Sequence, residues 1–214
     1  MKKLFGLLLL PVIAAAAYAF LPVGNTPAEN PESGLKVGDT APDFLLRNLD
    51  GRMISLESMK QDKGAKVKGY LVVFTCNTCP YAVMYEDRLI ELHNKYAAQG
   101  WPVVAIQPND AKLKPGDSME EMKIRAREKG FPFVYLYDDG QKVYPAYGAT
   151  RTPTLFLLDS ERKVRYIGAI DDNPQEAEAV KKRYVEDAIA AISAGKEPDP
   201  SFTKAVGCGI KSSK

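Results

Sequence analysis

One histidine, one tryptophan and three cysteines are all that this 214-residue chain holds of the residues that most often ligate metals, stack ligands or cross-link chains. A structural zinc needs four ligands, and beyond Cys76 and Cys79 the chain adds only Cys208 and His93. His93 stands 14 positions past Cys79 on what reads as one continuous helix. That is about 21 Å at 1.5 Å per residue, too far to share a metal with the cysteines or to serve one of them as a base. Charge of one sign is lacking as well. Lys and Arg number 29 against 27 Asp and Glu, leaving +2, and the signs are interspersed, so nothing marks nucleic acid or an acidic surface as a partner. Internal repeats are absent, and so is low-complexity sequence apart from an alanine run near the amino terminus.

Long hydrophobic runs are missing except for one. "MKKLFGLLLLPVIAAAAYAFLPVG" begins with Lys2 and Lys3, continues apolar, and carries Ala17-Tyr18-Ala19, the small-x-small pattern of a signal-peptidase site. No charge appears between Leu4 and Ala28, and about 20 apolar residues also suffice to span a bilayer. Residues 1–24 are therefore read as a signal peptide or an uncleaved membrane anchor, with the rest exported in either case. The membrane is a partner only if this segment stays uncut. No cysteine follows the run, so lipid attachment is unavailable. Residues 25–34, "NTPAENPESG", read as a flexible linker, 35–195 as one globular domain, and 196–214 as a C-terminal tail with Gly-Cys-Gly.

Within the domain the pattern alternates. Asp50-Gly51 between two short runs predicts an N-terminal β-hairpin. "GYLVVFT" and "WPVVAIQ" predict parallel strands buried on both faces. Between them, Tyr85, Leu89, Leu92 and Tyr96 recur at helical spacing, with Glu86, Asp87, Arg88, Glu91 and Lys95 on the opposite face. Ser118 and Glu121 form a capping-box pattern for a helix that Gly130 ends. "FPFVYLY" predicts a strand, and "TPTLFLL" with "KVRYIGAI" an antiparallel pair. A last helix is expected from Asn173-Pro174 to Gly195, with Ala177, Val180, Tyr184, Ala188 and Ile192 as its apolar stripe. The class is α/β, a mixed central sheet with helices on both faces.

The two cysteines of "TCNTCP" fall where a buried strand gives way to a helix. Asn77 or Thr78 is the candidate cap and Pro80 lies in the first turn. A sulfur there meets unpaired N–H groups and the positive end of a helix dipole, which lowers a thiol pKa. Cys76 is accordingly expected to be the nucleophile and Cys79 the resolving thiol. A purely structural disulfide would close too short a loop to constrain the unfolded chain, and CxxC beside a βαβ pattern points to redox chemistry. Cys208 is an odd thiol, either a third redox thiol whose flanking Gly207 and Gly209 let the tail fold back, or a partly buried free cysteine. His93 is expected on a helix surface, and Trp101 in the core or at its rim.

"VGDTAPDF" at 37–44, "YLVVFT", "CNTCP" and "TRTPTLFLLD" together resemble the thioredoxin-like redoxins of the AhpC/TSA type. Bacterial peroxiredoxin-like proteins with CxxC, whose chains end in a Gly-Cys-x-Ile-Lys tail like "GCGIK", are the most similar. The resemblance implies a thioredoxin-like fold and an exported thiol-disulfide oxidoreductase acting on protein disulfides or dithiols and recycled by a redox partner; the reducing direction is expected from Asn77 and Thr78, which bring neither a charge nor a histidine to the pair. No cofactor is implied, since the cysteine pair carries two electrons. It further implies that Pro153 is cis and lies against the pair, and that the backbone of Thr152 docks substrate. Departures from the pattern are equally specific. No Pro-x-x-x-Thr-x-x-Cys precedes either cysteine, which counts against the alternative of a thiol peroxidase. A copper-delivery protein is a further alternative, but those carry a wider cysteine spacing and a downstream histidine. Thr75 stands where thioredoxins have Trp, and Tyr70 where they have a buried acid, so the proton of Cys79 needs another route, by water or by a carboxylate elsewhere.

Overall fold

In the computed structural model, residues 34–61 and 66–213 are described. The expected leader, and the linker apart from Gly34, lie outside them. In chain order the elements are β1 (Leu46–Asn48), β2 (Met53–Ile54), α1 (Leu56–Gln61), β3 (Gly69–Phe74), α2 (Pro80–Met84), α3 (Glu86–Tyr96) and β4 (Val103–Gln107). They continue with α4 (Met119–Lys129), β5 (Val134–Tyr137), α5 (Val143–Tyr147), β6 (Arg151–Thr152), β7 (Thr154–Asp159), β8 (Val164–Gly168), α6 (Tyr184–Ser193) and β9 (Cys208–Gly209). Among the described residues no helix is long and apolar enough to cross a membrane.

Period-two alternation sorts the strand side chains onto two cores. From β3, Leu71 and Val73 pack with Leu89, Leu92 and Tyr96 of α3 and Val185, Ala188 and Ile189 of α6. Tyr70, Val72 and Phe74 point the other way, onto Leu56 of α1 and Tyr147 of α5. Both faces are covered, so β3 and β4 carry no exposed position. The seven-stranded sheet has the order β2-β1-β5-β4-β3-β7-β8. β3, β4 and β5 run parallel, while β7 is antiparallel to β3, β8 to β7, and β1 to both β2 and β5. This is the thioredoxin-like mixed sheet expected from the sequence, hairpin included. Gly51 turns that hairpin at φ +87°. A Cβ on Gly69 would stand 2.1 Å from the Leu158 carbonyl oxygen and 2.2 Å from the Trp101 ring, so only glycine lets Trp101 close the core there.

Ser118 Oγ accepts from the Glu121 N–H and Gly130 ends α4 in the left-handed region, both as expected. Three expectations need correction. The helix after the cysteines is broken at Tyr85 into α2 and α3. Arg88 occupies the break: it donates to the Met84 and Pro174 carbonyls at 3.2 and 2.5 Å and pairs with Asp171 at 2.6 Å. Glu86 and Arg88, assigned to the solvated face, are buried because each has a charged partner, Arg125 and Asp171 respectively. The last helix opens at Tyr184 rather than at Asn173. Asn173 Oδ1 caps a local turn at Gln175 and Glu176, and Asp172 holds Lys181 and Lys182 by their backbones. Residues 173–182 therefore form a loop holding one 3-10 turn, and Ala177 is exposed. The buried stripe is Val185, Ala188 and Ile189. α5 was not anticipated, its five residues being too short to show a helical period.

Beyond α6 the chain runs along the outer edge of β8. The Ile167 N–H donates to Ser201, and the Ile167 carbonyl accepts from Thr203. The chain thus covers an edge that would otherwise stand open before it reaches the cysteines.

Candidate active site

β3 ends at Phe74, and the Thr75 N–H still donates to the Ile106 carbonyl at 2.9 Å. Cys76 comes next, at the C-terminal end of a parallel strand, the usual place for chemistry in such sheets. α2 starts at Pro80 with Cys79 itself as the capping residue, not Asn77 or Thr78. Those two are engaged elsewhere. Asp117 Oδ1 accepts from the Asn77 and Thr78 N–H groups at 2.9 and 3.0 Å, and Asp117 Oδ2 from Thr78 Oγ1 at 2.8 Å and Asn109 Nδ2 at 2.7 Å. Asn77 is fixed further by Gly116 and by the Tyr135 hydroxyl.

Asp117 is fully buried, and the sequence did not single it out. Its only signal was an acid directly ahead of the Ser118 cap, which reads as an ordinary helix entry. With both oxygens engaged by four donors, it shapes the Cys-x-x-Cys loop rather than serving as a free base. Where thioredoxins keep a buried acid, Tyr70 donates to the Leu56 carbonyl at 2.8 Å.

All five residues selected from the sequence converge. The Thr152–Pro153 bond is cis. Cys76 Sγ lies 3.2 Å from Thr152 Oγ1, and the Cys79 thiol donates to the Thr152 carbonyl at 3.1 Å. Cys76 and Cys79 are 3% and 2% exposed, so neither faces open water. Cys208 packs against the cluster they form with Ala82. It does so because β9 pairs antiparallel with β6, setting Cys208 opposite Thr152 and Gly209 opposite Arg151. A cleft of about 400 Å³ opens beside Pro153, lined by Tyr85, Pro174, Tyr184 and Val206 among others.

The proton balance of the pair departs from expectation. Cys79, not Cys76, is the sulfur with the lowered pKa. The neighbouring Cys76 thiol first, then Cys208 and the Ala82 N–H, favour its thiolate and outweigh its burial. The Cys76 thiol is pushed up by its hydrogen bond to Cys79, by burial and by the charge of Asp117. Burial, then Cys79, raises Cys208.

His93 is half-buried rather than on the surface: Nδ1 accepts from the Val103 N–H at 3.3 Å, its ring rests on Phe133, and burial lowers its pKa. Trp101 is in the core. Among the described residues no group of three or more His, Cys, Asp and Glu is placed to hold a metal ion.

The AhpC/TSA family model matches residues 37–167. The thiol-disulfide oxidoreductase ResA of Geobacillus thermodenitrificans (strain NG80-2) is 29% identical over 188 residues, covering 85% of this chain and 95% of that protein. A crystal structure of an uncharacterized conserved protein from Geobacillus kaustophilus superposes with a TM-score of 0.75 at 36% identity, covering 83% of this chain and 92% of that one. A hypothetical protein from Sinorhizobium meliloti 1021 gives a TM-score of 0.77 at 33% identity, with 85% and 98% covered.

Two outcomes are expected. The reduced protein loses its last thiolate only near pH 4, seen as ultraviolet thiolate absorbance, and Cys79→Ser abolishes that transition; a single transition near pH 8.5 in both proteins would contradict the assignment. Asp117→Ala, which orphans two loop N–H groups, lowers unfolding free energy by about 2 kcal/mol or more in denaturant titration.

Proposed function

The chain belongs to the AhpC/TSA family, and from that premise we propose that it works as a thiol-disulfide oxidoreductase whose exchanging groups are Cys76 and Cys79. The observation that carries this reading is the pair itself: two buried sulfurs at a strand-helix junction, each held against Thr152 of the cis Thr152–Pro153 step. The similarity to a thiol-disulfide oxidoreductase over 85% of the chain supports it.

The exchange balances without a cofactor. The thiolate of the pair attacks one sulfur of a client disulfide, forming a mixed disulfide, and the other client sulfur leaves as thiolate and takes up a proton. The second cysteine gives up its proton and attacks the mixed disulfide. This closes the Cys76–Cys79 bond and releases the second client sulfur, so two electrons pass to the client. Thr152 and Pro153 dock the client as an extended segment, and the cleft beside Pro153 receives its neighbouring side chains. The direction is reducing, a dithiol redox partner returns the pair to its thiol form, and the work is done outside the cytoplasm after export through residues 1–24.

The test is turnover of a disulfide-bonded protein such as insulin, with a small dithiol as electron donor. Cys76→Ser and Cys79→Ser should each lose on the order of a hundredfold or more. Wild-type turnover in either variant would sink the proposal, and peroxide consumption outpacing disulfide reduction would favour a peroxidase instead.

A further inference from the structure

The place where a client segment would pair is already taken. β9 is an extended piece of the chain's own tail, laid antiparallel on Arg151–Thr152. In this register the residue opposite Thr152 is a cysteine, and Thr152 is the residue whose carbonyl takes the Cys79 thiol. Cys208 therefore packs against the cluster of Cys76, Cys79 and Ala82, and the Cys79 and Cys208 thiols act on one another's protonation.

This placement is built, not incidental. Gly207 passes so close to the dock that a Cβ on it would stand 2.0 Å from the Thr152 carbonyl oxygen and 2.6 Å from its carbon. Any side chain there would lift the tail. On either side of Cys208 the tail is latched. Arg151 Nη1 donates to the Gly207 carbonyl at 3.0 Å, and the Ile210 N–H donates to Thr150 at 3.0 Å. Lys211 exchanges backbone hydrogen bonds with Asn109 Oδ1, the Asp110 N–H and Gln141 Nε2. Asn109 also holds Asp117, so the latch and the Cys-x-x-Cys loop share a support.

We propose that the C-terminal strand is a built-in client: it occupies the dock of Arg151–Thr152, and Cys208 exchanges with the Cys76–Cys79 disulfide to form a Cys79–Cys208 disulfide. The inference rests on the oxidoreductase reading. In the oxidised chain the Cys208 thiolate attacks Cys79 Sγ; the Cys79–Cys208 bond forms, the Cys76–Cys79 bond breaks, and Cys76 leaves as thiolate and takes the proton that Cys208 lost. No electrons enter or leave, so the step needs no external oxidant or reductant. An external client reaches Thr152 only after the tail peels away, which makes the tail a competitor as well as a relay.

The test equilibrates the full chain and its Cys76→Ser and Gly207→Ala variants in glutathione buffers from reducing to oxidising, then quenches, alkylates and maps the cysteine peptides. In Cys76→Ser the Cys79–Cys208 linkage should dominate under oxidising conditions, and in the wild type it should accompany Cys76–Cys79. Gly207→Ala, which leaves all three thiols in place, should lower the Cys208-linked fraction at least tenfold relative to the wild type. Full alkylation of Cys208 in wild type and Cys76→Ser alike, with Cys76–Cys79 forming normally in the wild type, overturns the inference and spares the oxidoreductase reading. If no cysteine pair forms in any of the three proteins, both fall.

Discussion

Thr152 is the residue on which the site depends. Its hydroxyl contacts Cys76, its carbonyl accepts from Cys79, and its backbone pairs with the strand that carries Cys208. A threonine held at 1% exposure at the end of a two-residue strand, directly before a cis proline, meets both sulfurs of the pair and the Cys208 backbone only because β7, which follows Pro153 directly, is clamped along the whole of β3. The central sheet thus sets the distance between the cysteine pair and its dock. Any exchange at Cys76 and Cys79 takes place against a rigid surface rather than a mobile loop.

Asp117 is the second fixed point, from the opposite side. It takes the N–H groups of Asn77 and Thr78, so these residues cannot cap the helix and the capping position passes to Cys79. The Asp117 charge also acts on the first sulfur and holds its proton on. The pair is made unequal by where the loop is tied, since Asn77 and Thr78 carry no charge of their own.

The sheet, its hairpin, the parallel crossover and the convergence on Thr152–Pro153 could be read in the sequence because they rest on local signals: buried β-branched runs, Asp50-Gly51, CxxC, and a proline in a recognisable setting. What could not be read depends on distant partners. Arg88 and Glu86 look solvated until Asp171 and Arg125 arrive to pair with them. Residues 173–182 carry a helical start signal, but Asp172 turns them back on themselves. Asp117 lies 38 positions past Cys79, and no periodicity links an acid in a turn to a loop on another strand. For the tail, Gly207 and Gly209 suggested flexibility, whereas the close approach to Thr152 gives Gly207 a steric reason instead.

The most direct test of the account is the equilibrium potential of the reduced chain in graded dithiol buffers, read by alkylation and mass so that each cysteine is followed separately. A Cys76-dependent, two-electron transition near the value of thioredoxin, about −270 mV, is the expected result. A transition near −120 mV, that of a strong oxidant, would contradict the reducing direction, and the absence of any transition at Cys76 and Cys79 would contradict the account at its centre.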